Sequence, residues 1–304
     1  MMKKTCEDFV AAEITPKLDA IDHQEPGLME SILTKAGELG LLGISVPEEY
    51  GGMGMDFKTS MLCTEALGAG HSFSVAYGAQ TGIGTLPVLY YGSEELKKKY
   101  VTKLATGEFK ACYCLTEPGS GSDANSGKTK ATLSEDGKHY IINGQKIWTS
   151  YANYADWIFC LVRTDGTAKK HDGISFILFD MTSKGVSTRP ILLISGYSPF
   201  CETFFDNVRV PKSHVVGQVN RGWDVAKYLL QHERAMISGT GERGIGRPLG
   251  QVAADSVGSD EAGKLDDAML RGKIAAFDID EAAFAAVSER MVDLVKAGQS
   301  HPAF

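Results

Sequence analysis

Residues 113–150 hold two blocks whose order leaves the chain little conformational freedom. The first, Tyr113-Cys114-Leu115-Thr116-Glu117-Pro118-Gly119-Ser120-Gly121-Ser122-Asp123, is an apolar, strand-like run that breaks at Pro118-Gly119 into a loop of small residues. Backbone N–H groups and hydroxyls in such a loop can approach a ligand without side-chain obstruction, which suits an anion or a ring edge. The second, Ile141-Ile142-Asn143-Gly144-Gln145-Lys146-Ile147-Trp148-Thr149-Ser150, carries a hairpin signal at Asn143-Gly144 and then a strand ending in one large aromatic and two hydroxyls. Trp148 is expected to form a flat apolar wall, with Thr149 and Ser150 as donors beside it. Together the blocks describe a pocket for a planar, polar-edged cofactor. Taken singly, Thr116 and Ser122 read equally well as turn residues, and Trp148 as core.

The two blocks resemble the flavin-contacting segments of the acyl-CoA dehydrogenases. The resemblance implies an FAD cofactor, with contacts from Tyr113, Leu115, Thr116, Gly121, Ser122, Trp148, Thr149 and Ser150. The hydroxyl two residues after the tryptophan would reach toward flavin N5, and Ser122 would also touch the CoA part of the substrate. It implies an α+β fold with an N-terminal helical domain (1–110), a middle β-sheet domain (111–219) and the first half of a C-terminal helical bundle (220–304). The implied reaction is α,β-dehydrogenation of an acyl-CoA thioester: a glutamate removes the α-proton while the β-hydrogen leaves as hydride. Partners implied are an electron-transferring flavoprotein and further copies of the chain, as homodimer or homotetramer. Gly43-Ile44-Ser45-Val46-Pro47-Glu48-Glu49-Tyr50-Gly51-Gly52-Met53-Gly54 is similar to a glycine-dense family loop, read here as backbone turns.

Composition narrows the alternatives. Of the 304 residues, 43% are hydrophobic and 23% charged, as in a globular protein with sizeable cores. A net charge of −7 without a basic block argues against nucleic acid or an anionic membrane as partner. The cysteines Cys6, Cys63, Cys112, Cys114, Cys160 and Cys201 lack metal-ligand spacing and read as reduced, buried thiols of a cytoplasmic protein. Cys112 and Cys114 are expected on opposite or offset faces of their strand. The histidines likewise show no ligand spacing, so no metal site is expected.

In chain order, helices are expected over 1–22, 28–39, 57–67 and about 74–91, then from a Ser93 cap to Ala105. Strands follow at 112–115, 128–133, 140–148, 157–163, 174–179, 186–194 and 201–208, a compact β domain without βαβ units. From Trp223 the period turns helical. Ala226, Leu230, Glu233 and Ile237 share one face, and a carboxylate on an apolar stripe has three explanations: a general base or acid, a buried salt bridge, or a face edge reaching water. In the family, some subfamilies carry the catalytic glutamate at this helix and others carry it farther downstream; the resemblance places Glu233 as the candidate base, with Gln231 and Arg234 as substrate contacts.

Gly239-Thr240-Gly241-Glu242-Arg243-Gly244 satisfies G-x-G-x-x-G but follows a helix, not a strand, and so fails the context of a dinucleotide fingerprint. Ser256–Gly263 departs from the family, which has an Arg-x-x-Phe-Gly-like segment nearby. A last helix is expected over 267–295, with Phe277, Phe284, Val287, Met291 and Leu294 as its apolar stripe. The chain resembles the family with the second half of the bundle and a few N-terminal residues missing. Two other readings stand beside the dehydrogenase: a flavin oxidase or monooxygenase on the same fold, and an inactive fragment without FAD.

Overall fold

The computed structural model describes residues 1–238 and 248–299, and the chain divides into two compact units, 1–234 and 235–304. The first unit opens with α1 (Met2–Phe9), continues through a wide turn (Val10–Ile14) and a tight one (Thr15–Lys17), and ends its first rod in α2 (Leu18–Asp22). The helix predicted over 1–22 is therefore segmented, with the break at Pro16, which has no N–H to donate to the preceding turn. α3 (Leu28–Glu38), α4 (Phe57–Gly68), α5 (Ser72–Gly78) and α6 (Leu86–Tyr91) follow; α7 (Glu94–Leu96) and α8 (Thr102–Ala105) are joined by Lys97–Val101. Ser93 Oγ accepts from the Leu96 N–H at 3.3 Å, the expected cap. Cys6, Phe9, Ile14, Ile32, Leu67 and Phe73 pack into one helical core.

The sheet comprises β1 (Ala111–Cys114), β2 (Lys130–Leu133), β3 (His139–Ser150), β4 (Trp157–Arg163), β5 (Ile174–Asp180), β6 (Val186–Pro190), β7 (Phe200–Pro211) and β8 (Val215–Val216). Its order is β6-β7-β3-β2-β4-β5-β8, and β1 pairs in parallel with β4. Around β4 and β5 the sheet is dry on both faces. Ile158, Cys160 and Val162 pack with Cys112, Cys114, Ile177 and Phe179 on one side. Phe159 and Leu161 pack with Phe176, Leu178, Tyr100 and Leu104 on the other. A strand covered on both faces reads as a continuous apolar run, as Trp157–Val162 does. Cys112 and Cys114 lie on one face, because residues two apart in a strand point the same way; the expectation that they split is corrected. All six thiols are buried and free.

Two further expectations change. β6 stops at Pro190 instead of Ile194: the Ile191 N–H still donates to Phe200 O at 2.8 Å, and Leu192 and Ile194 beyond it are exposed. Asn143-Gly144 is not a hairpin turn but lies inside β3; the β2–β3 turn is at Ser134–Lys138, where the Gly137 N–H donates to Ser134 O at 2.9 Å. A Cβ on Gly144 would fall 2.6 Å from Thr129 Oγ1, so the glycine serves close approach of neighbouring chain. Asn143 meets Asn207 across the adjacent register shift: the Asn207 N–H donates to Asn143 Oδ1 at 2.8 Å, and Asn143 Nδ2 donates to Asn207 Oδ1 at 3.2 Å.

α9 (Gly222–Ser238) starts against the sheet, where a Cβ on Gly222 would lie 2.4 Å from the Ser175 carbonyl carbon. Val225, Ala226 and Leu229 are buried on the face of Phe159 and Phe176. In the second unit, α10 (Leu249–Val257) and α11 (Ala268–Lys296) are described, and Phe277, Phe284 and Val287 are exposed on α11. No helix among the described residues is long and apolar enough to cross a membrane.

Candidate functional site

The loop after β1 is pinned from below by one buried ion pair. Lys146 of β3 is 1% exposed and its Nζ donates to Glu117 Oε1 at 2.9 Å and to Leu115 O at 3.0 Å. Glu117 also accepts from the Lys128 N–H at 2.6 Å and the Thr129 N–H at 2.9 Å. Burial pushes the Glu117 carboxyl up, but the Lys146 charge and these hydrogen bonds outweigh it and hold the group below its usual value. Above them the Ile147 N–H donates to Thr116 O at 2.9 Å, and Glu117 and Ser120 exchange backbone bonds at 3.1 and 3.0 Å. Ser120 Oγ donates to Asp123 O at 2.8 Å.

That framework leaves the tip of the loop clear. Gly119, Gly121 and Ser122 are exposed, and a Cβ on Gly119 or Gly121 would meet no neighbour. The unobstructed backbone expected from the sequence is present. Tyr113 and Leu115 face the core of Phe159 and Phe176, and the Tyr113 ring stacks on Phe176 at 5.8 Å and 19°. Thr116 is half-buried beside them in the chain.

The end of β3 presents the aromatic wall. Trp148 has φ +64° at a register shift between Lys146 and Thr149, an uncommon conformation for a bulky residue. It is 51% exposed and meets Phe200 edge-on at 6.1 Å. The same shift turns Thr149 fully inward, so the expectation that both hydroxyls flank the ring is corrected: Ser150 keeps partial exposure and the Thr149 side chain does not. Thr149 Oγ1 and Thr203 Oγ1, on neighbouring strands, are buried without a hydrogen-bond partner.

α9 carries the remaining expected residues. Gln231 is exposed; the side chains of Glu233 and Arg234 lie outside the described residues, as do Gly239–Gly244 and His301. Rising about 1.5 Å per residue, the helix carries Glu233 roughly 16 Å from its start at Gly222. Sequence reasoning missed an aromatic cluster on this helix: His232 stacks on Tyr90 at 6.0 Å and 11° and meets Tyr228 at 4.6 Å, while Tyr228 also contacts Tyr91 at 5.5 Å. Burial lowers the His232 pKa, favouring the neutral ring. It also missed the Glu117–Lys146 pair, although Lys146 falls in phase with the inward-facing Tyr140 and Ile142, and a charge in that phase signals a buried partner.

The family profiles described as "Acyl-CoA dehydrogenase, N-terminal domain", "middle domain" and "C-terminal domain" match residues 1–108, 112–208 and 220–304. A "Probable acyl-CoA dehydrogenase" of Bacillus subtilis (strain 168) is 42% identical over 240 residues, covering 78% of this chain and 40% of that protein. The "Glutaryl-CoA dehydrogenase" of Desulfococcus multivorans is 34% identical over 248 residues, 79% of this chain and 62% of that protein. The crystal structure of an acyl-CoA dehydrogenase complexed with FAD from Bacillus anthracis is similar with a TM-score of 0.83 at 34% identity, over 97% of this chain and 50% of that one. The chain therefore spans less than two thirds of the length of each of these three.

Proposed function

The chain belongs to the acyl-CoA dehydrogenase family, and we propose that with bound FAD it oxidises an acyl-CoA thioester across its α,β carbon–carbon bond. The observation that carries this reading is the clear-tipped loop after β1, pinned to β3 beside an exposed Trp148 held at positive φ. A planar ring fits such a place: the exposed backbone at Gly119, Gly121 and Ser122 is open to its polar edge, and the indole offers a face. FAD, when bound, supplies the two-electron acceptor that takes the β-hydrogen as hydride at N5.

The chain's own residues do the rest. Tyr113, Leu115, Thr116, Gly121, Trp148 and Ser150 hold and orient the ring system; Thr149 contributes through its backbone, its side chain being buried. Ser122, Gln231 and Arg234 contact the CoA ester. Glu233 takes the α-proton. The division into 1–110, 111–219 and 220–304, an electron-transferring flavoprotein as acceptor, homo-oligomerisation and a cytoplasmic location belong to the same proposal; the six free thiols support the last.

The test is the visible spectrum of the purified chain after FAD is added and excess removed, followed by anaerobic addition of short and long acyl-CoA. A retained flavin spectrum that bleaches with one of them, and no longer bleaches in Glu233→Gln, is the expected result. Loss of all flavin on removal of the excess overturns the reading, and bleaching unaffected by Glu233→Gln moves the base elsewhere.

A further inference from the structure

A cavity of about 440 Å³ opens within the first unit, where the end of α2 and the starts of α3 and α5 face the segment after β3 and the β6–β7 connection. Its size is that of a site for a small organic molecule. Leu28, Met29 and Pro199 give it apolar lining, and Tyr151, Tyr154 and Tyr197 line it as well. The carboxylates on its wall are those of Asp22 and Glu25, both exposed at its rim beside the His23 ring, and no lysine or arginine lines it.

The wall is built by specific contacts. Ser72 Oγ donates to Asp22 Oδ1, and Tyr151 OH donates to Ser72 O at 3.2 Å, which ties the carboxylate to the opposite side. The His23 ring meets Tyr197 edge-on at 4.8 Å. Burial, then the neighbouring Tyr154 and the Asp22 charge, push the Tyr151 phenol up to about 12, so it remains a donor at neutral pH. Gln24 (φ +56°) and Tyr151 (φ +57°), on separate segments, both hold backbone conformations that side-chain-bearing residues rarely adopt. Such strain concentrates at ligand clamps and persists only where the surroundings enforce it.

Two carboxylates at a cavity's rim attract a cation, and the three phenol rings and apolar side chains that line it select which kind. A metal ion needs several converging hard or imidazole ligands, and no group of three such side chains converges among the described residues. An organic cation instead takes charge pairing from the carboxylates, cation–π attraction from ring faces and burial of its carbon body. We propose that this cavity binds a small organic ammonium compound with an apolar body. The assignment is independent of the dehydrogenase reading, since none of these residues is placed in the flavin or thioester contacts.

Calorimetric titration of the full chain with phenethylammonium and, separately, with the neutral near-isostere 2-phenylethanol tests it. The amine is expected to bind saturably below about 1 mM, at least roughly tenfold more tightly than the alcohol. The double change Asp22→Asn with Glu25→Gln keeps an acceptor for Ser72, and is expected to weaken the amine at least about tenfold while leaving the alcohol unchanged. Tyr197→Leu is expected to weaken the amine several-fold. Should the double variant fail to fold, salt takes its place: raising ionic strength weakens amine binding to the native chain and not alcohol binding. No saturable amine binding, equal binding of amine and alcohol, or indifference to both the double variant and salt overturns the proposal.

Discussion

Removing Lys146 is expected to be among the most damaging single changes in the β domain. In Lys146→Met the Glu117 carboxylate stays buried, with two backbone N–H donors but no countercharge. Breaking a buried pair by deleting one partner costs about 3–5 kcal/mol, against a total stability of about 5–15 kcal/mol for a folded domain. Glu117→Leu strands the ammonium and two N–H groups, at a similar cost. In the double variant no charge is left uncompensated, but the Leu115 carbonyl and the Lys128 and Thr129 N–H groups lose partners, so it is expected to cost about 2–4 kcal/mol, less than the sum of the singles. The resulting coupling energy of at least about 2 kcal/mol is read by urea denaturation of the four proteins. Because the folded Glu117 pKa is lowered, the unfolded chain binds more protons below about pH 4.3. The pair's stabilisation is thus present above that value and is lost as pH falls toward the folded pKa; in Lys146→Met this acid step is expected to shrink. A cost under about 1 kcal/mol for Lys146→Met, or no coupling, would refute the claim that this pair holds the loop.

Two other changes separate fold from site. Gly144→Ala places a methyl 2.6 Å from Thr129 Oγ1 and 2.7 Å from its Cα. It is expected to cost about 2–4 kcal/mol in the same denaturation assay, and a neutral result would contradict the close-approach role given to the glycine. Trp148→Gly removes a left-handed bulky residue whose ring is half exposed. Its stability is expected to stay within about 1 kcal/mol of the native chain, with retained flavin absorbance falling sharply; unchanged flavin retention would count against Trp148 as the ring's wall.

What was legible in the sequence was what depends on neighbours in the chain. Period-two patterning located the strands, and the alternation of β4 between two cores is the direct expression of its unbroken apolar run. The Ser93 cap needs only Leu96, three residues on, and the small-residue loop after Cys114 needs only its own glycines. Where distant chain intervened, local signals misled. Asn143-Gly144 has the chemistry of a tight turn, yet Asn207 and Thr129 hold it within a strand. Thr149 follows the exposed Trp148 in sequence, yet a register shift against β7 faces it inward. The Glu117–Lys146 pair joins the loop after β1 to β3, and the Tyr90–His232 stack joins α6 to α9. These contacts are set by topology, so a single sequence discloses them only as anomalies, such as a lysine in the phase of the core. The loop's openness was therefore readable from its composition, while the framework that holds it open was not. That division also tells the two kinds of variant apart: changes at the tip should alter what binds, and changes at the pair beneath it should alter whether the tip is presented at all.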